Sequence, residues 1–105
     1  MLVRPVCEEE KMSKLIMFHA RECPHCRAMM PHVVRLENEE KIAFEKLEVW
    51  HNDKNADLMR SYRPAIAPKC GGQLRTPTFF NPENNDVLCG EVSYEKLKEW
   101  ALKQA

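Results

Sequence analysis

The sequence predicts an α/β fold: a mixed four-stranded sheet with helices on both faces, in three layers. Three observations carry that prediction. Short apolar or alternating runs recur between segments of helical periodicity, in the order strand, helix, strand, helix, strand, strand, helix. The first half has the pattern of a βαβ unit and the second that of a hairpin closed by a helix, which together give a mixed sheet. The chain has 105 residues, 44% of them hydrophobic, enough for a single domain over residues 1–105 with a modest core.

Residues 1–13 read as a short N-terminal extension, with a short strand at Leu2-Val3, then a charged turn or helix stub, and an incidental thiol in Cys7. Lys14 to Ala20 is apolar without alternation, as in a strand buried on both faces. Pro24 to about Asn38 is the first long helix, with Cys26, Met29, Met30, Val33 and Leu36 or Glu37 three and four apart. Pro31 in its interior removes the bond to the Arg27 carbonyl and is expected to bend it. Phe44 to Trp50 is the second strand, with Leu47 and Val49 inward and Lys46 and Glu48 on the other face. Asn52 or Asp53 caps a helix from about Lys54 to Tyr62, whose buried side is Leu58, Met59 and Tyr62 and which Pro64 ends. A long connection with one short helical turn follows, closed by Cys70-Gly71-Gly72. Thr76 to Phe80 and Val87 to Val92 form a hairpin around the turn residues 81–86. Ser93 caps a last helix carrying Tyr94, Leu97, Trp100 and Ala101 on one face.

Cys23-Pro24-His25-Cys26 is the stretch with chemistry in it. A strand runs into a helix whose first turn carries both sulfurs. Helix N-termini leave N–H groups unpaired and carry partial positive charge, so they favour a thiolate. Pro24 suits the first helical position. Cys23, at the cap, is read as the exposed nucleophile, and Cys26, one turn further in, as the thiol that resolves a mixed disulfide. The helix dipole is worth only about 0.3–1 kcal/mol, so nearby donors must lower the Cys23 pKa further: first-turn N–H groups, the Cys26 thiol and protonated His25. Arg21 and Arg27 would assist if turned inward, and Glu22 would oppose.

Charge excludes some functions. Sixteen basic and sixteen acidic residues cancel, which removes the electrostatic case for nucleic acid or an anionic membrane. No apolar stretch approaches the ~20 residues of a membrane helix. Glu8-Glu9-Glu10-Lys11 interrupts the first twenty residues where the apolar core of a signal peptide would sit, so the expected location is cytoplasmic. Of the five cysteines, Cys89 reads as a small buried hydrophobe, and Cys70 as an accessible thiol, inert by default but open to a regulatory disulfide or a metal.

Taken together, these features resemble the thioredoxin superfamily over most of the chain. Ile16 to Cys23 is similar to the strand that leads into the family's W-C-x-x-C site, and Pro31 to the proline of its active-site helix. Phe44 to Val49 resembles the central strand, Thr76-Pro77-Thr78 the family's x-P-T, and Gly90 with Ser93–Trp100 the closing strand and helix. The resemblance implies a thioredoxin-like fold and a thiol–disulfide oxidoreductase. In it Cys23 and Cys26 are catalytic, Pro24 and His25 tune the thiols, and Thr76, before a cis Pro77, pairs with an extended substrate. It implies protein or small thiol and disulfide substrates, a reductase or small thiol for recycling, no cofactor, no metal, no nucleic-acid or membrane partner, and a monomer.

The chain also departs from the family. Glu22 replaces Trp, His19 another aromatic, and Met17 the buried acid, which leaves Lys46 without that partner. Pro24-His25 is the dipeptide of a strongly oxidising class within the superfamily, whereas the small size and Cys70-Gly71-Gly72 are not features of that class. His32 and His51 read as surface residues, and His19 as either a site neighbour or a satisfied strand-end histidine. Another class remains open: a metal or iron–sulfur module on Cys23 and Cys26 with Cys70 or His25. A partner-binding domain that merely keeps the fold is disfavoured by the two intact cysteines.

Overall fold

Strand β1 (Leu15–His19) offers solvent almost no side chain: Leu15, Ile16, Met17 and Phe18 are all buried. Its neighbours in the computed structural model, which describes residues 15–104, cover it on both edges and both faces. Leu2, Val3 and Cys7 of the expected extension lie outside the described residues. β1 pairs in parallel with β2 (Phe44–Glu48) and antiparallel with β3 (Thr78–Asn81), which pairs antiparallel with β4 (Asp86–Cys89). The sheet is thus four-stranded and mixed, in the order β2-β1-β3-β4. The parallel pair is joined by helix α1 (Pro24–Glu40), the crossover that parallel strands require.

Because β1 alternates between faces, it feeds two cores. Leu15 and Met17 pack with Phe44 and Phe79 against Met29, Val33 and Leu36 of α1 and Leu97 and Trp100 of α4 (Tyr94–Lys103). Ile16 and Phe18 pack with Phe80 and Val87 under Met59, Ile66 and Cys70. Phe79 stands edge-on to Phe44 at 5.7 Å, and Phe80 meets Tyr62 at 4.5 Å between centroids. Each fully buried Phe or Leu contributes about 1.5–3 kcal/mol. Trp100 gives its ring to this core although its Nε1–H finds no partner among the described residues.

The helices follow their caps. Asn52 accepts from the Asn55 N–H at 3.0 Å and Ser93 from the Lys96 N–H at 3.2 Å, each filling an orphan donor of a first turn. α1 runs unbroken through Pro31 and past Asn38 to Glu40, and closes on Lys41 in the left-handed region at φ 58°.

Two expectations need correcting, the burial of Leu58 and the lengths of the strands. Leu58 is exposed, because α2 (Asp53–Ser61) is short and turns Met59, not Leu58, onto the sheet. As expected, α2 ends just before Pro64, with Tyr62 as its C-cap; Pro64 then sits in the first turn of the short α3 (Arg63–Ile66), where its missing N–H costs nothing, and a 3-10 turn (Ala67–Cys70) follows. Strands β2, β3 and β4 are shorter than the apolar runs suggest, β3 starting only after Pro77. Lys46 lacks the acid that Met17 replaces, as expected, and takes another partner: its Nζ lies 2.7 Å from Glu37, which also accepts the Phe44 N–H and ties α1 to the start of β2.

Candidate active site

The C-terminal end of β1 delivers the chain to the site through a tight turn in which the Cys23 N–H donates to the Ala20 carbonyl at 3.2 Å. Cys23 is then the N-cap of α1, in extended backbone, with Pro24 in the first helical turn. Both Cys23 and Cys26 stand as free thiols. The Cys26 N–H donates to Cys23 Sγ at 3.3 Å, so the sulfur does the work an Asp or Ser oxygen does at an ordinary cap. Thr76 Oγ1 donates to the same sulfur at 3.5 Å, and the Thr76 carbonyl lies 3.7 Å from it, ready to accept from the protonated thiol. The Thr76–Pro77 peptide is cis.

These contacts separate the two thiols. Burial acts to raise the Cys23 pKa, but hydrogen bonds from the Cys26 thiol, from Thr76 and from the Cys26 and His25 backbone outweigh it and hold the thiol below its ordinary value. Cys26 is pushed up to about 11, first by burial and then by the hydrogen bond its thiol gives to the Cys23 sulfur. One sulfur is thus poised to be a thiolate while the other keeps its proton. Cys23 is not the exposed residue expected from its position at a cap: it is 4% accessible and Cys26 2%. Its reach to solvent comes from a groove of about 510 Å³ that it lines with Pro24, His25 and Thr76.

The groove has a further wall. Here Val49, Trp50 and Met59 are apolar, with Trp50 57% exposed. Glu48 fixes that wall: its carboxylate accepts from the backbone N–H groups of Arg21, Trp50 and His51 at 3.0, 3.2 and 2.7 Å. His51 and Glu22 meet at 2.6 Å, so Glu22 is turned from Cys23 toward an imidazole that holds its pKa below the usual carboxylate range. His51 is a surface residue, as expected, that also pairs with Glu22. Leu74 and Arg75 line the groove as well. His25 Nδ1 lies 2.7 Å from Glu91 Oε1, and that carboxylate holds the imidazole above its usual value, aided by the nearby Cys23 charge. His19 does not line the groove; burial holds its pKa down.

Cys70 and Cys89 are bonded to one another, with Cα atoms 5.6 Å apart. This overturns two expectations, an accessible inert Cys70 and an unbonded Cys89: Cys70 is 3% exposed and packs on Ile66 and Phe80. The bond joins the 3-10 turn before Leu74-Arg75 to β4, where Cys89 faces Thr78 and the next N–H, of Gly90, donates to the Pro77 carbonyl at 2.8 Å. It also takes Cys70 away from any metal site with Cys23 and Cys26. Among the described residues no three His, Cys, Asp or Glu side chains converge as metal ligands would.

Sequence reasoning missed Glu91, Trp50, Arg75 and the side-chain role of Thr76. Only the last had a signal, in the x-P-T pattern; His25 and Glu91 are 66 residues apart, and nothing local links them.

A dithiol heading a helix, packed on a mixed sheet of this order, defines the thioredoxin-like class of fold. The family model for thioredoxin matches residues 4–100, and the chain belongs to the thioredoxin family. It is similar to the solved structure of the thioredoxin NaTrxh from Nicotiana alata, at 22% identity and a TM-score of 0.60 over 88% of this chain and 74% of that one. It is similar also to the glutaredoxin of Archaeoglobus fulgidus, at 19% identity and 0.58 over 91% and 94%. A third likeness, to the first two thioredoxin domains of Eps1p from Saccharomyces cerevisiae, has 19% identity and 0.50 over 95% and 40%. At these identities the likeness bears on the fold. Among curated protein sequences none matches significantly. Thiol–disulfide oxidoreduction is the general chemistry of the family.

Proposed function

We propose that this protein exchanges its Cys23–Cys26 dithiol with disulfides of protein or small-thiol substrates, Cys23 as nucleophile and Cys26 as resolving thiol. The Cys23 thiolate attacks one substrate sulfur, forming a mixed disulfide and expelling the other substrate sulfur as a thiolate. Cys26 then loses its proton and attacks the Cys23 sulfur, which releases the second substrate thiol. The protein has given two electrons and holds a Cys23–Cys26 bond, which an external reductase or small thiol reduces again; run backwards, the same steps oxidise a dithiol. Pro24 and His25 tune the couple, and Thr76, whose main chain lies against Cys23 beside Pro77, holds an extended substrate segment. The chemistry needs no cofactor, and a monomeric single domain suffices for it.

The observation that carries this reading is the asymmetry of the sulfurs: one opens on a groove and receives hydrogen bonds, the other is buried behind it and is harder to ionise. In the Cys26→Ser variant, incubation with a disulfide substrate should accumulate a mixed disulfide on Cys23. The Cys23→Ser variant should form none. Equal trapping on either residue would refute the roles.

The exchange chemistry proposed here is compatible with the cytoplasm, the location expected for the chain. The Cys70–Cys89 bond favours an oxidising compartment instead, since buried structural disulfides are rare where glutathione keeps thiols reduced. Alkylation of acid-quenched cells decides between them: a fully reduced Cys70 supports the cytoplasm, a bonded one the alternative.

A further inference from the structure

Charge is sorted around the groove in a way that the neutral total conceals. The side chains lining it include three basic ones, His25, Arg60 and Arg75, and no acidic one. The nearby carboxylates are each already paired, two of them with groove cations. Glu91 is on His25, Glu22 on His51, Asp57 on Arg60, and Glu48 on backbone N–H groups. All three cations are exposed, but Arg75 differs from the other two in that none of the ion pairs among the described residues includes it. Its backbone is nevertheless held, since the Thr78 hydroxyl donates to the Arg75 carbonyl at 2.5 Å. It immediately precedes Thr76, whose hydroxyl touches the Cys23 sulfur. An exposed guanidinium with unused donors, carried on held backbone one residue from the reacting centre, is suited to anchor a carboxylate.

We propose that the groove selects extended peptides carrying an acidic side chain beside their disulfide, with Arg75 as the anchor and Trp50 as the seat of a neighbouring apolar side chain. This rests on the exchange reading above. The apolar wall argues for a peptide over a small acidic disulfide: half-buried Val49 and exposed Trp50 offer surface that only a ligand with apolar side chains would cover. An exposed charge contact of this kind changes rates by a few-fold to about tenfold, acts partly on the encounter step, and weakens with salt.

The test uses three peptide disulfides that differ only in the residue beside the cystine, Glu, Gln or Lys, with oxidised glutathione as the small acidic disulfide. The reduced wild-type protein should react in the order Glu, Gln, Lys, the first about tenfold faster than the last at low ionic strength, with the ratio shrinking as salt is added. Arg75→Gln should bring the ratio close to one, and Arg75→Lys should restore most of it. Trp50→Ala should slow all three peptides. Equal rates for the three peptides in the wild type would overturn the inference and leave the exchange reading intact. A fast reaction with oxidised glutathione that exceeds the Glu peptide and ignores Trp50→Ala would overturn the peptide in favour of the small disulfide. No exchange with any of the four would overturn both readings.

Discussion

Reducing the Cys70–Cys89 bond in an otherwise unchanged protein should cost about 3 kcal/mol of stability. The two cysteines are 19 apart in sequence, so the bond closes a loop of about 20 residues in the unfolded chain. The chain-entropy relation then gives about 11 cal/mol/K lost from the unfolded ensemble, or about 3 kcal/mol at 25 °C. For a domain of this size that corresponds to roughly 10–25 °C in Tm. The bond also pins native structure, the 3-10 turn on one side and β4 on the other, so little relaxation of the folded state offsets the loss. The assay is urea unfolding in a Cys23→Ser/Cys26→Ser background, where only this bond can respond, with and without reductant. Reduction leaves both sulfur atoms in place and so isolates the cross-link from the packing of Cys70. Cys70→Ala/Cys89→Ala should match the reduced protein to within the cost of a small void. A difference below about 0.5 kcal/mol between oxidised and reduced protein would refute the reasoning, because the loop length alone sets the larger figure.

Thr76→Val removes one hydrogen-bond donor from the Cys23 sulfur; the Cys23 pKa should rise and alkylation at pH 7 should slow by about three- to tenfold. Ultraviolet titration of the Cys7→Ser protein with its Cys23–Cys26 pair reduced and Cys70–Cys89 bonded should show one thiolate forming below the ordinary thiol range and a second near 11; a single step for both would contradict the separation. Because Glu91 raises the His25 pKa, their contact stabilises the fold fully below the unfolded imidazole value and the gain is lost as pH rises through the folded one. NMR titration should find His25 above about 6.5, and Glu91→Gln should lower it. Ser93→Ala removes the cap of α4 and should cost about 1 kcal/mol by chemical denaturation.

What could be read from the sequence was what local chemistry decides. α1 and α4 announce themselves through caps and a buried stripe repeated over several turns, and their buried residues are those the spacing selects. In α2 the stripe has only two turns to establish itself, so Leu58 and Met59, a hundred degrees apart, could not be ranked; contact with the sheet chooses Met59. Cys23 and Cys26 were legible because a helix start and two thiols coincide within four residues. Glu91 on His25, Lys46 on Glu37 and Cys70 on Cys89 were not, since each joins segments that only the sheet order brings together. The burial of Cys23 has the same cause: the loop of Thr76 closes over a cap that, by itself, would face solvent.

The most direct test equilibrates the protein with dithiothreitol across a range of reduced-to-oxidised ratios, quenches with acid, alkylates, and maps the cysteines by mass spectrometry. A peptide pair linked through Cys23 and Cys26 should appear and vanish reversibly as the ratio changes. Alkylation of Cys23 and Cys26 at every ratio, or bonds from either to Cys70 or Cys89 in place of one another, would contradict the exchange chemistry proposed for this site.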